Sequence, residues 1–398
     1  MGGKQTWLIL IVILPLLTGC WSRTEITDIA IVLGIAIDEL ENEQIQIALQ
    51  IAVPKALGTS GSTQGSGATK STIMISAKGK SIMEAYRIIQ EKLPREVFFA
   101  HSRVIIVGEK LARDSVSSFL DFFSRYRQAH LRNYLLFTKG KAVDVLKSAP
   151  RLESIMAEEI REQERTGVGI QISVRDFLKR LLKDGEEPVA AQISNLPLEM
   201  VNKIETEGSE MPKKAPAING AAVFRGNRLV GWLNDKEARG VLWLRNEIKS
   251  GVLTVMVPTE EGKRMVGAKI KKGSTDIKPI FHHDKLKIKL EIYGEIDIFD
   301  NNTALDLRDP RVMNTLQSIF EKDVKTRIKL TLDKTQKELK SDIFGFGQAV
   351  YRTEPAKWKS FYKKKWSEVF PDLEVEIVPH IRIRGTGFST KSMSQPDD

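Results

Sequence analysis

The sequence predicts an α+β fold, a multi-domain chain of mixed sheets packed with helices and tethered behind a lipoprotein-type signal peptide. Three observations carry that expectation. Runs rich in Val and Ile alternate along the chain with segments whose apolar residues fall at helical spacing. The 398 residues exceed what a single core usually serves, and a polar, proline-bounded stretch divides them. A short apolar N-terminal segment ends in the only cysteine of the chain.

That segment reads as three zones. Lys4 is its one charge, and Trp7 to Leu17 are apolar apart from Pro15. This is too short to span a bilayer, which takes about 20 residues, but it suits the apolar region of a signal peptide. Leu17-Thr18-Gly19-Cys20 follows, with small residues before the cysteine. Such a site suits a signal peptidase that cleaves ahead of a diacylglycerylated Cys20. The competing reading is an ordinary secretory peptide with an incidental cysteine. The place of the lone Cys at the end of the apolar run favours lipidation.

The mature chain opens with "ITDIAIVLGIAID" and "EQIQIALQIAV", which read as a hairpin turning over Asp38 to Glu43. Residues 58–72 are a Gly/Ser/Thr loop. Ile82, Ala85, Ile89 and Leu93 make a helical stripe with Ser81 as N-cap. "SRVIIVG" reads as a buried strand, "DSVSSFLDFFSRYR" as a helix capped by Asp114, "LRNYLLFTKG" as a strand and "KAVDVLKSA" as a short helix. Helices are expected near Leu152 to Glu164 and Ser173 to Lys183.

Val201 to Pro216 is poor in apolar residues and closes on two prolines around a Lys pair, so it is taken as a linker. A hairpin turning at Gly226-Asn227 follows, then a helix over "NDKEARGVLWLRN". Gly251 to Phe299 reads mainly as strands, with "KLKIKLEIYGEIDIF" alternating as a strand wet on one face. Asp309 and Pro310 start a long helix running toward "DIFGF"; "EPAKWKSFYKKKWSEVF" is another, and "LEVEIVPHIRIRG" a last strand.

The formal net charge of +10 favours anionic neighbours, but Lys and Arg are spread too evenly to choose among them, and export argues against nucleic acid. No catalytic constellation stands out. His101, His130, His282, His283 and His380 lack a zinc-protease spacing, and "FHHD" reads as a turn. "GKS" at 79–81 lacks the upstream glycine of a phosphate loop, since position 74 is Met74. "GFGQAV" follows a charged helix rather than a buried strand, against a dinucleotide fingerprint. No Gly-x-Ser-x-Gly elbow occurs, and Glu158-Glu159 and Glu186-Glu187 read as solvated acids. The expectation is therefore no enzyme, no cofactor and no metal.

The most unusual local feature is "WKSFYKKKW". Trp358, Phe361, Tyr362 and Trp366 recur at helical spacing, with Lys357, Lys359, Lys363, Lys364 and Lys365 largely on the other faces. One reading is an interfacial helix on anionic lipid or a partner, using Trp358, Lys359, Lys363, Lys364 and Lys365. The other is an aromatic stripe facing the core with a wet basic back.

Several blocks, in order, resemble one family. "GCWSRTEITDIAIVLGIAID", "FFAHSRVIIVGEKLARD" with "LDFFSRYRQ", "GAAVFRGNRLVGWLN", and the stretch from "DIFGFGQAVYRTEPAKW" to "HIRIRGTG" are similar to the Ger(x)C lipoproteins, the C subunits of spore nutrient-germinant receptors. The likeness covers nearly the whole mature chain. It departs at Ser22, where the family commonly has an acid, at Ala36, where it has glycine, and at "RYRQ", where it has an Asp-Pro-Glu-rich loop. The resemblance implies an accessory, non-enzymatic subunit, held by Cys20 on the outer face of the spore inner membrane. Its partners there would be a multi-spanning A subunit and a transporter-like B subunit.

It also implies three mixed α/β domains, which divides the chain into a leader 1–19, an N-terminal domain 20–200, a linker 201–216, a middle domain 217–275 and a C-terminal domain 276–390. The alternative from another class is an extracytoplasmic solute-binding lipoprotein that captures a nutrient itself. That would normally show two similar lobes around a cleft, whereas the halves here differ in pattern. A secreted envelope enzyme is the third reading.

Overall fold

The computed structural model describes residues 25–53, 71–126, 130–167, 169–197, 214–260, 262–283 and 285–387. Cys20, most of the Gly/Ser/Thr loop and most of the expected linker lie outside them. Two mixed sheets with helices organise the described chain.

The first sheet begins with β1 (Ile29–Glu39) and β2 (Ile45–Ala52), an antiparallel hairpin whose turn places Glu43 at φ 59°. β3 (Thr72–Gly79), not anticipated because Thr72 was counted in the loop, pairs antiparallel with β2. Ser81 then accepts from the Glu84 amide at 3.2 Å and starts α1 (Ile82–Lys92). A short β4 (Glu96–Phe98) runs parallel to the start of β1.

β5 (Val104–Gly108), β6 (Tyr134–Thr138) and β7 (Val189–Pro197) continue the sheet in parallel from β1. Between them lie α2 (Glu109–Asp114), α3 (Ser117–Arg125), α4 (Ala142–Leu146), α5 (Met156–Arg165) and α6 (Val174–Leu181). Asp114 ends α2 rather than capping the following helix, whose N-cap position is Val116.

These strands read as unbroken apolar runs because both faces are covered. Successive side chains point to opposite sides. Ile105, Val107, Leu135 and Phe137 join α1, α2, α3 and α6 in one core, while Val104, Ile106 and Leu136 join α4 and α5 in the other. At the carboxyl end of β1 the buried Asp38 accepts from the amides of Ala142 and Val143 at 2.7 and 3.0 Å, closing the N-terminus of α4. Residue 108 must be glycine, since a Cβ there would lie 2.2 Å from Asp38 Oδ1.

β8 (Lys214–Arg225) and β9 (Arg228–Asn234) form the expected hairpin, with Gly226 at φ 57°. Both nevertheless complete the first sheet, β8 pairing antiparallel with β7. Lys214–Pro216 therefore belong to a strand, not a linker, and the first sheet runs on to Asn234. The reason is that Ala221, Ala222 and Val223 are fully buried and need the neighbouring strand.

The second sheet has the order β10 (Gly251–Thr259), β11 (Gly262–His282), β12 (Lys285–Asn301) and β13 (Glu374–Gly385). The first three are antiparallel and β13 is parallel to β12. The expected division at 275 falls inside β11, where buried Thr275 donates to the Trp243 carbonyl at 2.9 Å; the chain does not part there. Of "FHHD", Phe281 and His282 end β11, His283 turns at φ 54°, and Asp284 lies outside the described residues.

α7 (Asp235–Leu244) opens on a capping box between Asn234 and Glu237 and buries Trp243. α8 (Pro310–Asp333), capped by Asp309, buries Leu316, Phe320, Val324, Ile328 and Leu332 on the sheet, then widens into a π turn, Lys334–Leu339, ended by left-handed Lys340. Glu321 and Gln317 of α8 accept from the Ile381 and Ile383 amides at 3.0 and 3.1 Å, which blunts the β13 edge. One core joins Val189, Val223 and Leu233 of the first sheet to the inner face of the second.

Candidate functional site

The aromatic–basic segment folds as α10 (Pro355–Lys357), a π turn (Trp358–Tyr362) and α11 (Lys363–Val369), preceded by α9 (Phe346–Thr353). Its aromatics at 358, 362, 366 and 370 stand four residues apart. In a helix of 3.6 residues per turn such a row drifts by about 40° per step. The wider π turn takes part of that rotation back and keeps the row facing one way.

The row faces inward. Trp358 is 2 % exposed, Tyr362 7 %, Trp366 8 % and Phe370 1 %. Trp358 was a candidate for a membrane or partner surface, but its ring is not available to one. It lies over two glycines: a Cβ on Gly185 or Gly347 would come within 2.6 or 2.7 Å of the indole.

Lys359, Lys363, Lys364 and Lys365 do face solvent, as does Lys357. Lys363 is 2.6 Å from Asp184, Lys357 lies 4.4 Å from the Phe281 ring centroid, and Lys365 lies 4.9 Å from that of exposed Phe361. The outward face is a basic surface with one open aromatic ring.

Asp342 holds the segment in place from below. It is 3 % exposed, and its carboxylate accepts from the amides of Phe344, Gly345, Phe346 and Gly347 at 2.9 to 3.3 Å. Trp366 Nε1 donates to the same carboxylate at 2.9 Å. Burial nonetheless pushes its pKa up to about 6. The "GFG" letters are thus a turn wrapped around an acid, with Gly345 at φ 78°. The signal for Asp342 was the acid just ahead of that glycine-rich turn.

A charged cluster joins this region to the first sheet. Glu186 contacts Arg245 at 3.2 Å, Arg180 at 3.6 Å and Lys183 at 3.0 Å, and Glu247 contacts Arg180 at 2.8 Å and Arg245 at 3.0 Å. Burial opposes ionisation of Glu186, but its basic neighbours outweigh it and hold the carboxyl below its ordinary range. Glu187 accepts from the Gly226 amide at 2.6 Å, and Glu159, 4 % exposed, accepts from Arg151 and Leu152. These acids were expected to be solvated; Glu159 is buried, and Glu158, Glu186 and Glu187 are partly buried. They cap turns and pair with guanidinium groups, which makes them architectural.

Among the described residues no three His, Cys, Asp or Glu gather as a metal would need, and no helix is long and apolar enough to cross a membrane. The geometry of this segment is a basic outer surface seated on a buried aromatic row.

Comparison with known proteins decides the lineage. The profile "Spore germination protein N-terminal domain" matches residues 22–195, and "Spore germination B3/GerAC like, C-terminal" matches residues 219–387. The chain belongs to the Ger(x)C family. Bacillus subtilis YfkR is 31 % identical over 95 % of this chain and 96 % of its own length. Spore germination protein KC of that organism is 27 % identical over 96 % of this chain and 94 % of its own. The crystal structure of the GerBC protein matches with a TM-score of 0.53 at 22 % identity, over 88 % of this chain and 96 % of that one. That likeness confirms the multi-domain fold of mixed sheets and helices for this Ger(x)C protein.

Proposed function

We propose that this Ger(x)C protein is a non-enzymatic, lipid-anchored subunit of a spore nutrient germinant receptor, needed for assembly or signalling in germination. The observation that carries the reading is the match of two germination-protein profiles over residues 22–195 and 219–387, set directly behind a leader-like segment followed by the lone Cys20. Diacylglycerol on Cys20 would hold the folded body on the outer face of the spore inner membrane. The membrane-embedded A and B subunits are its partners in this account.

The solute-binder alternative needs two like lobes. The sheets differ: one has five parallel strands, β1, β4, β5, β6 and β7, flanked by antiparallel ones, the other a three-strand meander with one parallel strand added. The test is purification of the tagged chain from spore membranes in mild detergent. Co-purification of both membrane subunits is expected. A chain that comes away alone and binds nutrient by calorimetry would replace this reading with the alternative.

A further inference from the structure

The amino ends of the parallel strands carry a basic cavity of about 670 Å³ that neither the anchor nor the lysine helix uses. Three guanidinium groups line it, from Arg103 just before β5, Arg132 just before β6 and Arg161 on α5, together with His130. Its floor is built: buried Asn133 donates to buried Ser102 Oγ at 2.8 Å, and that hydroxyl donates to the Phe99 carbonyl at 2.7 Å.

The charge is incompletely balanced. Glu158 approaches Arg103 Nε at 3.5 Å and Arg161 Nε at 2.9 Å, and Glu162 takes Arg161 Nη2 at 2.8 Å. Both of those Nε groups are shut off from water, yet neither is aligned for a hydrogen bond. Arg132 makes no ion pair among the described residues, and no carboxylate lines the cavity. Forked guanidinium donors around an open space suit a phosphate or similar oxyanion.

The position of the cavity supplies the source of that oxyanion. Arg103 donates its amide to Leu33 of β1 at 2.8 Å, so the cavity lies beside the early part of that strand. β1 starts at Ile29, four residues nearer the sheet's amino edge, or about 13 Å. Cys20 precedes Ile29 by nine residues, a reach of about 30 Å when extended. An acylated Cys20 would keep this same edge close to the bilayer surface.

We propose that the Arg103–Arg132–Arg161 cavity is a second membrane contact that takes the phosphate of an anionic phospholipid headgroup. This rests on the anchor reading for its geometry and deepens it: the lipid on Cys20 tethers, and the arginines orient the body. The test uses the mature chain from residue 20 with Cys20→Ser. It retains every described element, since the first lies beyond residue 25, and it has no acyl chain. Flotation is measured with phosphatidylcholine vesicles and with vesicles also containing phosphatidylglycerol.

The chain should float with the mixed vesicles only, and Arg132→Ala should weaken that binding about fivefold. Arg132 is exposed, so its removal leaves the fold intact. Arg132→Lys should recover part of the loss by charge but not the forked geometry, while Ala at Lys363, Lys364 and Lys365 should leave binding unchanged. Equal flotation of the parent and Arg132→Ala, or loss only with the lysine variant, overturns the proposal. Binding of inorganic phosphate without vesicle binding overturns the lipid assignment. A missing acyl group on native Cys20 would instead overturn the anchor, whatever the vesicles show.

Discussion

Glu164 offers a prediction that can be worked through in numbers. Its side chain lies on α5 at 1 % exposure, and neither carboxyl oxygen has a hydrogen-bond partner among the described residues. Burial alone raises its pKa from 4.5 to about 8. At neutral pH the folded chain therefore holds a proton that the unfolded chain has released. Because the folded pKa is raised, the cost is absent below about pH 4.5, grows as pH rises, and levels off above about pH 8.

Between pH 4.5 and 7 that is about 1.4 kcal/mol per pH unit, or roughly 3 kcal/mol in all. Glu164→Gln removes the titration but buries an amide, so its stability at any one pH mixes two effects. The difference between the variant and the parent, followed across pH, isolates the titration. Urea unfolding at pH 4.5 and pH 7 should show the variant gaining about 3 kcal/mol on the parent over that interval, with unchanged m-values. A difference that stays constant with pH would refute the claim that a neutral acid is buried at this position.

Three further outcomes are expected. Asp342→Ala strips the acceptor from four backbone amides and the Trp366 indole, and should cost at least about 3 kcal/mol in urea unfolding, whereas Trp366→Phe removes one donor from that set and changes packing as well. Gly347→Ala places a methyl 2.7 Å from the Trp358 ring and 2.6 Å from Gly185 Cα; it should destabilise by about 1–3 kcal/mol and alter tryptophan fluorescence. Cys20→Ala should leave the circular dichroism of the body unchanged while moving the protein from the membrane fraction to the soluble one. Retention of that variant on washed spore membranes would contradict the anchor.

Much of the fold was legible because local rules agreed with tertiary demands. Ser81, Asn234 and Asp309 begin helices as capping chemistry requires, and β12 alternates wet and buried residues as a half-covered strand should. The errors have physical causes. Thr72–Gly79 follows a Gly/Ser/Thr-rich stretch and was partly absorbed into it. β8 and β9 were assigned forward because a hairpin does not announce which sheet it will extend, and only the burial of Ala221, Ala222 and Val223 against β7 settles it.

The aromatic row at 358, 362 and 366 was visible, but its direction was open. Gly185, more than 170 positions upstream, makes the slot that Trp358 fills. The acids Glu159 and Glu186 read as surface because their partners come from a turn and from guanidinium groups that the fold brings to them. Arg103, Arg132 and Arg161 stand far apart in sequence and meet only because β5, β6 and α5 bring their ends to one edge of the sheet.

The central claim is that this Ger(x)C protein works at a membrane, held by its first mature residue. Mass spectrometry of the N-terminal peptide from a spore membrane fraction tests it most directly. The account predicts a chain beginning at Cys20 whose mass carries diacylglycerol on the thiol. An unmodified chain, or one that begins at another residue, would contradict it.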